Sequence, residues 1–101
     1  MSAEVLLILV AEPESAERLA DLLADAGLPD GWYETAVELV GGSAPYRNRR
    51  EQVRGRRPRV RFEMRVNADD ARRVIAAVDR QFSGRAAVVM LAQQTPPLVG
   101  E

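Results

Sequence analysis

The sequence predicts an α+β fold, a four-stranded antiparallel sheet with two helices on one face. Three observations point to it. Residues 5–11 and 86–92 are apolar runs that read as strands covered on both faces. Residues 32–40 and 59–66 alternate, the mark of strands with two unlike faces. Two apolar stripes at helical spacing follow the first and third of these strands. The succession is strand, helix, strand, long loop, strand, helix, strand.

Each element has its own signals. Val5 to Ala11 is unbroken by charge, and Glu4 and Glu12 bracket it. Pro13 suits the first position of a helix, where its missing N–H costs nothing, and Glu14 and Glu17 complement the positive end of the dipole. Ala16, Leu19, Ala20, Leu22, Leu23 and Ala26 form its apolar stripe, and Gly27 ends it at the left-handed cap position. Pro29-Asp30-Gly31 is a turn. The second strand sets Tyr33, Thr35, Val37 and Leu39 against Glu34, Ala36 and Glu38. The third sets Val60, Phe62, Met64 and Val66 against Arg59, Arg61, Glu63 and Arg65. Paired antiparallel, the two strands would place Glu34 and Glu38 opposite Arg61 and Arg65. Asn67 caps the second helix, whose stripe is Ala71, Val74, Ile75, Val78 and Phe82, and Ser83-Gly84 stops it.

That βαββαβ order is the ferredoxin-like sandwich, with the spatial strand order last, first, third, second. The whole chain, 1–101, reads as a single domain, with residues 43–58 a flexible segment and residues 95–101 a C-terminal tail. The last strand falls at an edge with no polar face, and exposed apolar edges are normally covered. A second copy of the chain is the expected cover, so the chain is expected to be a homo-oligomer.

Charge is distributed unevenly. The chain has no lysine, and nine of its fourteen arginines lie between residues 45 and 65, where only Glu51 and Glu63 oppose them, a net of +7. Residues 1–44 carry Arg18 against nine acids, a net of −8. Such a dipole marks a surface that meets a charged partner, and arginine binds carboxylate or phosphate bidentately. Residues 43–57 offer only Tyr46 and Val53 as apolar anchors, so the loop is expected to be mobile.

Composition excludes several chemistries. Cysteine and histidine are both absent, which removes disulfides, thiolates and the commonest general base and metal ligand. No metal site is expected. Ser15, Ser43 and Ser83 have no histidine to activate them. Asp69 and Asp70 read as helix-cap acids, and Glu34 and Glu38 as ion-pair partners rather than an acid–base couple. No catalytic residue is assigned, and the chain is expected not to be an enzyme. The apolar run is too short to span a bilayer and no basic leader precedes it, so a cytoplasmic location is expected.

Residues 53–62 superficially resemble the acylphosphatase signature. In that family the signature joins the first strand to the first helix, whereas here it precedes a strand, so the activity is not implied. Nucleic-acid binding is a rival reading of the arginines, with Tyr46 or Trp32 stacking on a base. The sheet lacks the paired exposed aromatics of an RNA-recognition sheet, and the rest of the chain is acidic.

Glu51-Gln52-Val53-x-Gly55-Arg56, leading into Val60-x-Phe62-Glu63, resembles a small bacterial branch of the PII-like superfamily known as a domain of unknown function. The resemblance spans roughly residues 4–94. It implies a trimeric, non-enzymatic signalling protein whose long loop, the T-loop, docks on a partner. That partner is often a membrane transporter, and genes of the branch often lie beside heavy-metal efflux pumps. Carried onto this chain, the loop residues Tyr46, Arg47, Arg49, Arg50, Arg54 and Arg57 would meet a partner with an acidic surface. Gly55, with positive φ, would turn the chain back into the sheet, and Arg56 and Arg85 would hold an anion or a neighbouring chain at a subunit junction. PII proteins bind ATP through a glycine-rich, lysine-bearing loop. The corresponding residues 82–86 are too short and lack lysine, so ATP is not implied and no cofactor is assigned. Tyr46 lies in no matching modification motif, and the copper handling of a related branch finds no cysteine or histidine here.

Overall fold

The computed structural model describes residues 4–42, 46 and 48–82 and the backbone of 88–94. Strand β1 (Glu4–Ala11) leads into helix α1 (Pro13–Ala26), and strand β2 (Tyr33–Val40) follows. A short helix α2 (Arg49–Arg54) then precedes strand β3 (Arg56–Asn67), helix α3 (Ala68–Phe82) and strand β4 (Val88–Gln94). The sheet runs β2-β3-β1-β4, antiparallel at each pairing.

Local chemistry sets the helix limits. Pro13 opens α1, and Gly27 closes it at φ 66°, its N–H donating to Ala24 O at 3.3 Å. Asn67 caps α3: its Oδ1 accepts from Asp70 N–H at 2.7 Å, and its Nδ2 donates back to Asp70 Oδ2 at 3.2 Å. Arg73 reaches from α3 to the last turn of α1 and donates to Ala26 O, which ties the two helices together.

The core lies between the helices and one face of the sheet. Leu7, Leu9 and Ala11 of β1 and Phe62, Met64 and Val66 of β3 meet Leu19, Leu22 and Leu23 of α1 and Ala71, Val74, Val78 and Phe82 of α3. Each fully buried aliphatic or aromatic side chain in this set contributes about 1.5–3 kcal/mol relative to exposure. On the opposite face of β1, Leu6, Ile8 and Val10 are only half-buried.

The structure corrects three expectations. Residues 41–58 do not form an uninterrupted loop, because α2 and the first residues of β3 occupy residues 49–58, so the succession carries an extra helix. Strand β3 begins at Arg56, three residues before the clean alternation, because backbone pairing with β2 continues from Val37↔Arg59 to Val40↔Arg56. The β2–β3 register also differs from the expected one, by three residues: Glu34 faces Phe62 and Glu38 faces Pro58, whereas Arg61 faces Thr35. An odd shift moves every side chain to the other face. Arg61 instead pairs along its own strand with Glu63 at 2.9 Å, and Arg65 pairs with Glu4 at 2.9 Å.

At the edge of the sheet, β2 lies outside the helix layer: all of its residues but the half-buried Val37 are exposed, with Tyr33, Leu39 and Val40 at 76%, 43% and 59%. The C-terminal tail, residues 95–101, lies outside the described residues.

Candidate binding site at the base of the arginine loop

The site grows from an Asn-x-x-Glu capping sequence. Asn48 Oδ1 accepts from Glu51 N–H at 2.9 Å, and Gln52 N–H closes the first turn onto Asn48 O at 3.1 Å. Gly55 ends the turn at φ 68°, its N–H donating to Glu51 O at 2.8 Å. The positive φ is as expected, but its job is to cap α2 rather than to turn a free loop. Arg56 then enters β3 at once.

This geometry aims the arginines in different directions. Arg54 Nη2 donates to Glu38 Oε1 at 2.8 Å and Arg56 Nη1 to Glu38 Oε2 at 3.0 Å, so one carboxylate of β2 bridges two guanidiniums. Arg57 turns inward. It is 2% exposed, its Nη1 donates to Gly41 O at 2.7 Å, and its guanidinium lies 4.2 Å from the centre of the Tyr46 ring. Arg57 is therefore buried rather than presented to solvent: it pins the end of β2 and the Tyr46 ring to β3, and its stem packs where water is excluded. Tyr46 is 37% exposed, one face covered by that cation. Glu51 is buried as well, with interactions of its own.

Arg49 and Arg50 stay exposed at the start of α2, and Val53 is 80% exposed on the same helix. Arg47 and Arg85 lie outside the described residues. Among the expected site residues, the structure thus brings Arg50, Arg54 and Arg56 together and separates Arg57 from them. They wall a cavity of about 540 Å³ with Asn48, Glu51 and the first turn of α1 at Pro13 and Glu14. Its size falls in the range of small-ligand sites.

Asn48 is the contributor that sequence reasoning overlooked, while Glu38, expected to pair with Arg61 or Arg65, meets Arg54 and Arg56 instead. The capping pattern Asn48-x-x-Glu51 followed by Gly55 was readable as a one-and-a-half-turn helix. No sequence signal told Glu38 which arginines it would meet, since that depends on register. Among the described residues, no group of three or more histidine, cysteine, aspartate or glutamate side chains could hold a metal ion. No helix among them is long and apolar enough to cross a membrane.

Comparison with known proteins places this architecture. A DUF3240 protein from Shewanella baltica has a crystal structure that superposes with a TM-score of 0.69 at 17% identity, covering 97% of this chain and 99% of that one. A crystal structure from Thermus thermophilus, described as "a putative PII-like signaling protein", superposes at 0.63 with 18% identity over 93% of this chain and 87% of that one. At such identities the likeness concerns the fold. No curated protein is similar enough in sequence to match. The profile of one family, described as "Protein of unknown function (DUF3240)", matches residues 1–94, and the chain belongs to that family.

Proposed function

We propose that the protein is a non-enzymatic, PII-like regulatory protein that works as a homotrimer with a ferredoxin-like βαββαβ frame. Its arginine-bearing segment between β2 and β3 docks on a partner with an acidic surface, such as a transporter, under the influence of a small anionic ligand. The observation that carries the reading is the β2 edge. Tyr33, Leu39 and Val40 stand exposed on a strand that the chain's own helices leave uncovered, and such an edge calls for a partner chain. The PII-like description of a protein with this fold adds support. Within the segment, Arg49 and Val53 stand exposed on α2. An exposed hydrophobic side chain beside an arginine suits an acidic protein groove with an apolar centre better than a bare phosphate backbone.

Titration against a polyglutamate peptide and a single-stranded oligonucleotide, each at low and moderate salt, tests the docking claim. Binding of the acidic peptide that weakens in an Arg49→Ala/Val53→Ala variant supports it. Preference for the oligonucleotide, with a salt slope that falls in Arg49→Ala/Arg50→Ala, would establish the nucleic-acid alternative instead.

A further inference from the structure

We propose that the cavity between α2 and the first turn of α1 binds a small, multiply charged oxyanion, and that Glu38 is a built-in competitor which that anion displaces. Glu38 already behaves as such an anion. Its two oxygens accept separately from Arg54 Nη2 at 2.8 Å and Arg56 Nη1 at 3.0 Å. These two guanidiniums also wall the cavity, together with Arg50. Arg50 makes no hydrogen bond or ion pair among the described residues. Three arginines line one cavity, two of them held by a single carboxylate, and together they carry more donors than Glu38 can satisfy. Their planar forks match phosphate or polycarboxylate oxygens.

Glu38 is also the weakest holder available. It stands on an exposed edge strand, its side chain is 34% exposed, and the two arginines are each 54% exposed. Solvent-exposed ion pairs of this kind are readily exchanged. Glu38 itself stands outside the wall, whose own carboxylates, Glu14 and Glu51, are engaged in interactions of their own.

Exchange has a mechanical consequence. Glu38 belongs to β2 and Arg54 to the end of α2, so their bond ties the arginine helix to the sheet edge. An anion that takes over both guanidiniums unties it. This coupling rests on the docking role proposed above, but the anion site itself needs neither a partner nor a particular oligomer.

Isothermal titration of the full chain with inorganic pyrophosphate and with citrate, at constant ionic strength, tests the site. Arg54→Ala and Arg56→Ala should each weaken binding about tenfold, the loss of a charge-assisted hydrogen bond. Glu38→Gln should tighten it on the order of fivefold by removing the competing charge. Arg72→Ala, which removes an exposed arginine of α3 paired with Asp69, should leave it unchanged. The tighter of the two oxyanions assigns the ligand as phosphate-like or carboxylate-like. Glu38→Ala, with thermal melting of every variant, guards against a folding artefact. Weaker or equal binding in both Glu38 variants overturns the competitor role. Arg54→Ala behaving like Arg72→Ala, or no binding of either oxyanion to wild type and Glu38→Gln, overturns the site, while leaving the assembly and docking claims standing.

Discussion

Replacing Arg57 with alanine separates a structural arginine from its exposed neighbours. The side chain is 2% exposed, donates to Gly41 O at 2.7 Å and covers the Tyr46 ring at 4.2 Å. Deleting it leaves a carbonyl without that donor, at about 1–3 kcal/mol. It also removes a desolvated cation–π contact worth about 0.5–2 kcal/mol. Allowing for partial relaxation and entry of water, a net loss of about 2–3 kcal/mol is expected. For a domain of this size, that lowers the melting temperature by roughly 8–20 °C. Arg49→Ala, at an exposed position on α2, should stay within about 0.5 kcal/mol of wild type. The assay is thermal and urea unfolding at one fixed protomer concentration, because assembly shifts the apparent stability. Arg57→Lys should fall between the two, since it keeps the charge but loses the planar stack. Equal stability of Arg57→Ala and Arg49→Ala would refute the reasoning and return Arg57 to the solvated, partner-facing set.

Three further outcomes follow from the same geometry. Asn48→Ala removes the cap on Glu51 N–H and should cost about 1 kcal/mol, read as faster amide exchange at Glu51 and Gln52 without a change in the core. Gly55→Ala should cost about 1–2 kcal/mol from backbone strain alone, because φ is 68° and a new Cβ would meet nothing nearer than Tyr46 Oη at 4.0 Å; circular dichroism with denaturant titration reads it. Phe62→Ala, at a fully buried position, should cost about 3–5 kcal/mol and show up as a large fall in the urea midpoint.

The core was legible in the sequence because periodicity reports it directly. The stripes Leu19, Leu22, Leu23 and Ala71, Val74, Val78, Phe82 are the residues that α1 and α3 bury, and Gly27 and Asn67 end and begin their helices as their chemistry suggests. The arginine segment was less legible for two physical reasons. Low hydrophobicity hid α2, since its order comes from the Asn48 cap, the Gly55 cap and the burial of Glu51 rather than from an apolar face. Burial of Arg57 ran against the rule that arginine is rarely buried, and it depends on partners distant in sequence such as the Tyr46 ring and the Gly41 carbonyl. The partners of Glu38 depended on a β2–β3 register that alternation alone does not fix. The site is therefore a tertiary product of residues 38, 50, 54 and 56, none of which announces the others.

Sedimentation velocity across a wide concentration range tests the central claim most directly. The uncovered β2 edge, with Tyr33, Leu39 and Val40 exposed, predicts self-association that persists on dilution, and the PII-like function proposed above sets the species at three protomers. It also predicts that Leu39→Glu/Val40→Glu shifts the chain to smaller species while the helical signal is retained. A wild-type chain that sediments as a monomer at every concentration would contradict the account.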